Sequence, residues 1–513
     1  MSNNESKSFI DLLNKQFITN SEYNTKYSEN GAKMYDTAGS MLVDLYYRVS
    51  SYRFSKDYSD FINRFIYLYD SNRELAIVFL FYLRDIRSGL GERSLFRLGL
   101  SILACSRDNV VRNLIELVPE YGRYDDLFVL IDSKYDKDMI NLIYTQLSKD
   151  IDNMMNDKPI SLLAKWLPSV NASSDDTRRI AYKLRTKLGY KSDRDYRKIL
   201  SSLRKYLKVV ERSMSLKRYD EINYSSVPSV AMSKHYNAFS RNDYERFSSY
   251  LDDLSSGKAK VNTKALYPYQ VVSKLVTTGT VSEDVIKLCN NQWKSILKED
   301  RYDFSNILVV RDGSHSMVHN KLYGSTALDI CDSLTLYTAS KLCGYYRGKF
   351  ITFSSTPKLV QLEDCTNLYK SIKYLRNYYC DCSNTDIEKV FKLILYTLVS
   401  NNLSQSELPG TVLVISDMEF DPYSNNVSSN LFDQLSKDYV EYGYKLPKLV
   451  FWNVSSSTNA IPVVSNTNGV IYLSGFSPNA LKLVESGEID PEKALLSILN
   501  SSRYTKVREA LEE

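Results

Sequence analysis

Four apolar residues, Ile307-Leu308-Val309-Val310, run directly into Arg311-Asp312-Gly313-Ser314-His315-Ser316-Met317, and this junction limits the possible folds more than any other stretch. A short apolar run of this kind reads as a buried strand. Asp312, Ser314 and Ser316 then place an acid and two hydroxyls at alternate positions on the loop that leaves it. Open α/β sheets gather ligands at the carboxyl ends of their strands. Oxygen donors alone suit a hard divalent cation, Mg²⁺ first and Mn²⁺ or Ca²⁺ next, better than zinc. Taken by themselves, the same residues also fit a Ser-rich turn that caps a helix.

Two later stretches favour the first reading. Thr411-Val412-Leu413-Val414-Ile415-Ser416-Asp417 is a second buried-type strand ending in an acid, and Thr385 lies in a polar loop before the amphipathic run 387–399. From residue 305 onward, strand and helix patterns alternate. Strands are predicted at 306–311, 347–353, 411–416, 447–453 and 469–473, with an edge strand at 358–362. Helices are predicted at 325–343, 366–376, 386–400, 428–442, 477–486 and 491–511. That alternation predicts a doubly wound α/β fold. Strand-acid, loop-Thr and strand-acid in this order resemble the metal-ion-dependent adhesion site of von Willebrand factor A domains. The resemblance implies that Ser314 and Ser316 bind the metal directly, and Thr385, Asp312 and Asp417 directly or through water. It also implies an open coordination position, filled by an acidic residue of a protein partner. That family usually has Gly where His315 stands, so a side chain there is expected to narrow the site or add a polar contact.

The chain from about 35 to 300 reads differently. Apolar residues recur at three- and four-residue spacing, as in Phe61, Phe65 and Leu68, or Leu75, Val78, Phe79, Tyr82 and Ile86. Consecutive helices with short turns predict a bundle or an α-solenoid of HEAT-like pairs. The expected domains are a polar leader at 1–30, a helical domain at 31–300 and the α/β domain at 301–513. Gly89 and Gly91 follow a helix rather than a strand, which predicts a tight interhelical turn and not a phosphate loop. Asp125 and Asp126 are expected to cap the next helix or to pair with Arg123.

Five phrases connect the two halves. They are Arg84-Asp85-Ile86-Arg87-Ser88-Gly89-Leu90-Gly91-Glu92-Arg93, Tyr121-Gly122-Arg123-Tyr124-Asp125-Asp126-Leu127, Ala164-Lys165-Trp166-Leu167-Pro168, Asn262-Thr263-Lys264-Ala265-Leu266-Tyr267-Pro268 and Ser416-Asp417-Met418-Glu419-Phe420-Asp421. Together they resemble a bacterial, eukaryotic and viral group related to the Ro autoantigen, with a TROVE-like helical module followed by a von Willebrand A domain. The resemblance implies a ring or horseshoe of HEAT-like helices, and binding of noncoding, structured RNA.

Charge points the same way. Residues 178–218 hold 15 Lys and Arg against 3 Asp and Glu, an excess larger than the +5 of the whole chain, so the remainder is net acidic. Such a localised patch is a candidate polyanion site. Arg178, Arg179, Lys183 and Lys187 lie on one predicted helix. Arg194, Arg197, Lys198, Arg204, Lys205 and Lys208 lie on the next, and each contact to a phosphate would release condensed counterions. Tyr190, Tyr196 and Tyr206 are interleaved and could stack on unpaired bases. With 41 Tyr in the chain, coding bias explains tyrosines equally well. His235 is a further candidate RNA contact, although a packed, hydrogen-bonded role fits it better.

Other classes are disfavoured. The seven cysteines show neither zinc nor disulfide spacing, which suits a reducing compartment. The polar start, Met1 to Ser8, predicts no signal peptide, and the most apolar window, Ala76 to Leu83, is too short to span a bilayer, so no membrane partner is expected. A cytoplasmic protein, or a virion component if phage-encoded, is expected. Catalytic motifs are absent and only three His exist to serve as bases, so no enzyme is expected. Two functions remain: a Ro-like RNA-binding protein with a divalent-metal site, or a metal-dependent protein–protein scaffold or phage assembly component without RNA.

Overall fold

The computed structural model describes residues 24–53, 55, 57–264, 266–276, 279–299, 306–319, 321–322, 325–353, 356–378, 386–422, 431–462, 470–485 and 490–512. The chain divides into two compact units, one of residues 65–253 with 499–513 and one of residues up to 64 with 254–498.

The first unit is helical. Its main helices are α1 (Arg73–Arg84), α2 (Arg93–Cys105), α3 (Asp136–Met155), α4 (Asp175–Lys187), α5 (Asp193–Tyr206) and α6 (Ser229–Asn242). Side chains start three of them: Asn72, Ser174 and Ser192 accept from the backbone N–H groups of Leu75, Thr177 and Asp195. The turn after α1 is as tight as expected. A Cβ on Gly89 would stand 2.0 Å from the Tyr82 carbonyl oxygen. Leu90 N donates to that same oxygen at 3.2 Å, so only glycine fits there.

Asp126 does cap, accepting from Arg123 N at 3.0 Å, but its ion partners are Arg84 and Arg97, each with Nε at 2.7 Å, and not the Arg123 side chain. Arg123 instead lies over the Trp166 ring at 4.3 Å. Gly122 leaves room for the buried pair, since a Cβ there would meet Asp126 Oδ2 at 2.6 Å and Arg84 Nε at 2.8 Å. The expected terminal helix is interrupted, giving Pro491–Leu499 and Thr505–Glu512. Between them Arg503 reaches Asp85 at 2.7 Å, and its backbone carbonyl accepts from the Tyr121 hydroxyl at 2.6 Å. The C-terminal residues therefore belong to the helical unit.

The second unit is built on a six-stranded sheet. Its strands are β1 (Ile307–Asp312), β2 (Lys349–Phe353), β3 (Lys358–Gln361), β4 (Thr411–Ser416), β5 (Lys448–Asn453) and β6 (Val470–Ser474). They lie in the order β6-β5-β4-β1-β2-β3, all parallel except β3, which runs antiparallel to β2. β1 is buried throughout and β4 beyond Thr411, and the apolar runs Ile307–Val310 and Val412–Ile415 suit strands covered on both faces. The chain leaves β1 toward one side of the sheet and returns at β4 on the other, which opens a crevice at the carboxyl ends of those two strands.

The expected limits at 30 and 300 are displaced. Helices α7 (Pro268–Leu275) and α8 (Glu283–Glu299) pack on α9 (Ala327–Lys341) and α10 (Leu368–Tyr378). Trp293 Nε1 donates to the Cys365 carbonyl at 2.9 Å, and Tyr369 N donates to Asn290 Oδ1 at 3.1 Å. The N-terminal segment also joins this unit. Ala32, Met34, Val43 and Tyr47 share one apolar core with Val412 and Phe451, and Tyr35 bridges Ile461. Polar bonds fix the same contact: Asn453 Nδ2 and Ser474 Oγ both donate to the Tyr47 carbonyl, at 3.0 and 2.9 Å. No helix among the described residues is long and apolar enough to cross a membrane.

Candidate metal centre and nucleic-acid interface

The parallel register of β1 and β4, with Val310 opposite Val414 and Arg311 opposite Ile415, brings the two strand-end acids into one crevice. Ser416 Oγ donates to Asp312 Oδ2 at 2.5 Å, while Ser314 N donates to Asp312 Oδ1 at 2.8 Å. The Ser314 and Ser316 hydroxyls are 3.1 Å apart. Glu419 N donates to Asp417 Oδ1 at 3.3 Å, and Asp417 Oδ2 is buried without a hydrogen-bond partner among the described residues. Thr385, the remaining expected ligand, lies outside the described residues. His315 is exposed while Ser314 is buried, so the imidazole does not fill the crevice.

Electrostatically the crevice is unbalanced. Burial, then the Asp312 carboxylate, pushes Asp417 well above the usual carboxylate range, and Ser316 draws it back in part. Asp312 is raised too, first by burial, with bonds from Ser314 and Ser416 opposing. The buried cation Arg311 also opposes the rise at Asp312, but as the smallest of the causes, and its own ion pair is with Asp332 at 2.6 Å. Arg376 adds to that pair from 2.9 Å and also meets Asp329 at 2.7 Å. Two buried acids that face each other, with one orphaned oxygen and two adjacent hydroxyls, fit a hard divalent cation. No group of three His, Cys, Asp or Glu residues suited to a metal occurs among the described residues, so a metal held here would need the hydroxyls in its donor set.

The basic segment separates into two unlike helices. On α4, Arg178 pairs with Asp175, Arg179 with Asp176 at 3.1 Å, Lys183 with Asp132, and Lys187 with Asp136 at 2.7 Å. Hydrogen bonds from Lys183 and Lys187 hold the Asp132 carboxyl below its ordinary value. These four acids lie outside 178–218, so a charge count over that window does not include them.

On α5, Arg194, Arg197, Lys198 and Lys205, with Lys208 just beyond the helix, are exposed and have no ion-pair partner among the described residues. At 3.6 residues per turn they occupy an arc of about 100°, and Arg194 to Lys205 spans about 16 Å. Tyr196, Leu200 and Leu203 are buried on the opposite side. Lys205 and Lys208 border a shallow groove of about 670 Å³ with Met154, Asp157, Ser202 and Tyr206.

Three expected contacts are used internally. Arg204 donates to the carbonyls of Ala164 and Leu167 at 2.8 and 2.6 Å and to Ser169 Oγ at 2.8 Å, and burial pulls its pKa down. Tyr196 is buried, its hydroxyl donating to the Pro168 carbonyl at 3.0 Å. His235 packs near Phe239 and faces Glu211 at 3.6 Å. Sequence reasoning missed Glu419 and the Arg311–Asp332 pair. Glu419 does fall within the phrase Ser416 to Asp421, and that was its only signal.

Comparison with known proteins gives three findings. Residues 306–511 match "Domain of unknown function (DUF7788)" and residues 144–302 match "Domain of unknown function (DUF2828)". "Uncharacterized protein L728" of Acanthamoeba polyphaga mimivirus is 32% identical over 515 residues, covering 93% of this chain and 87% of that protein. The crystal structure of Deinococcus radiodurans RO (RSR) protein aligns with a TM-score of 0.48 and 13% identity, over 85% of this chain and 95% of that one.

Proposed function

We propose that this chain, which belongs to the same family as the mimivirus protein L728, is an RNA-binding protein that grips the phosphates of structured RNA on the open face of α5. The observation that carries the reading is the row Arg194, Arg197, Lys198, Lys205 and Lys208, exposed and without ion-pair partners among the described residues. A solvated structural face has no need of five unpaired cations in one arc, whereas phosphate binding gains from each of them. The resemblance of the helical phrases to Ro-related proteins supports the same class of ligand.

In this reading the crevice of the sheet unit is a von Willebrand A-type site. Asp312, Ser314, Ser316 and Asp417 would hold Mg²⁺, with Thr385 added by resemblance. Bound there, the ion would supply an open coordination position for a carboxylate of a protein partner. The chain's own residues align the two acids, exclude water from Asp417 and leave the hydroxyls facing the crevice. They bind and orient; they do not catalyse.

The test is binding to a structured RNA across a salt series, comparing the intact chain with the Arg194→Glu, Arg197→Glu, Lys198→Glu variant. The intact chain is expected to lose affinity steeply with salt. The variant should bind at least about tenfold more weakly, with a slope shallower by about three. Equal and weak binding by both would overturn RNA binding at α5. The orphaned Asp417 oxygen favours a second reading, a metal-dependent protein scaffold without RNA. Partner capture that is lost in chelator, from a chain that binds no RNA, would support it.

A further inference from the structure

Two residues beyond Asp417 lies a buried carboxylate that neither proposed role uses. Glu419 is 1% exposed. Its Oε1 accepts from Ser457 N at 2.9 Å, Thr458 N at 3.1 Å and Ser456 Oγ at 3.2 Å, and its Oε2 accepts from Glu29 N at 2.5 Å. The backbone of the same turn is held as well. Asn30 Nδ2 donates to the Glu419 carbonyl at 2.6 Å, and Ser28 Oγ donates to the Phe420 carbonyl at 2.6 Å. Residues 28–30 thus grip the Glu419–Phe420 turn at three points, from nearly 400 positions away in sequence.

That turn aims Asp417. Met418 sits at φ +65°, a left-handed conformation that a non-glycine side chain adopts only when its surroundings impose it. Glu419 N is the donor to Asp417 Oδ1. We infer that the N-terminal segment, acting through Glu419, positions Asp417 and so sets the affinity of the crevice for its divalent ion. The inference rests on the metal reading above. Released from residues 28–30, the turn keeps Met418 N on Ser416 Oγ and the Ser456–Thr458 donors on Glu419 but loses three of the bonds that fix it. The Asp417 carboxylate is then freer to swing away from Ser314 and Ser316. Groups that orient first ligands typically change metal affinity by about 10- to 100-fold when removed. Glu29, Asn30 and Glu419 are positioning residues in this scheme and make no contact with the ion.

The experiment is Mn²⁺ titration of the full chain, followed by the electron paramagnetic resonance of free and bound Mn²⁺, with thermal unfolding as a control. Intact protein is compared with Asn30→Ala, the Ser28→Ala, Asn30→Ala pair, and Glu419→Gln. Affinity is expected to fall several-fold for Asn30→Ala and at least about tenfold for Glu419→Gln, with a changed linewidth of the bound ion. Asn30 is exposed, so its variant keeps the test decisive if Glu419→Gln fails to fold. Variants that lower the melting temperature but bind Mn²⁺ as the intact chain does would overturn the inference while leaving the metal reading standing. An intact chain that binds no Mn²⁺ would overturn both.

Discussion

Asp126 and Asp417 are both fully buried aspartates, one in each unit, and their neighbours are opposite in kind. Asp126 meets two guanidinium groups, Arg84 and Arg97, each at 2.7 Å. Asp417 meets a second carboxylate, Asp312, and retains an oxygen with no partner among the described residues. A buried charge is tolerable only when it is paired, protonated or bound to a metal. The first acid is therefore complete within the protein, whereas the second is driven toward its protonated form and, in the reading proposed above, would hold a cation. Burial alone distinguishes nothing here; the sign of the neighbours does.

The comparison can be broken most forcefully at Asp126. Asp126→Ala strands Arg84 in the core, and we expect a loss of about 3–5 kcal/mol by chemical denaturation of the helical unit. A loss under about 1 kcal/mol would mean that Asp126 is no more self-sufficient than Asp417. Gly122→Ala sharpens the same point without touching a charge. Its methyl would press on Asp126 Oδ2 and Arg84 Nε, and a cost of about 1–3 kcal/mol is expected. At the other acid the sign should reverse. Asp417→Asn should raise the melting temperature in chelator by removing one of two facing acids, and should abolish the stabilisation by Mg²⁺ that is expected of the intact chain. A variant that melts lower in chelator would show that Asp417 already has its counter-charge.

The smallest effect is expected on α4. Lys183 and Lys187 already face Asp132 and Asp136. Changing both to Ala should alter RNA affinity less than about twofold, while the α5 variant loses at least about tenfold. Equal losses would show that ion pairing does not separate these helices.

Much of the sheet unit was legible in the sequence. The strand expected at 411–416 is observed as Thr411–Ser416, and the one at 306–311 as Ile307–Asp312. A run that is apolar on both faces and ends in an acid leaves few alternatives. The crevice acids followed from the same runs, because strand ends in such sheets converge at the switch in strand order. The pairing of cations was not legible. Lys187 and Asp136 are 51 positions apart, and a count over 41 residues could not register that they touch.

Nor did the sequence show which segments join which unit. Read alone, residues up to 30 look like a polar leader and residues 41–52 like one more helix of the N-terminal half. Only the apolar faces of Val43 and Tyr47 against Phe451 and Tyr472, and the donors at Glu29 and Asn30, make them part of the sheet unit. Arg503 likewise reads as one more surface cation until Asp85 and Tyr121 surround it.

By itself, then, the sequence determined the periodicities, the strand-end acids and hydroxyls, and the places where cations are dense. Those are local properties, set by side-chain spacing of two or 3.6 residues and by residue type. The tertiary structure decided which charges are already neutralised, which buried oxygen has no partner, and which distant segment holds the turn that aims Asp417. Coulomb energy and desolvation depend on distance through space, and neither is encoded in distance along the chain.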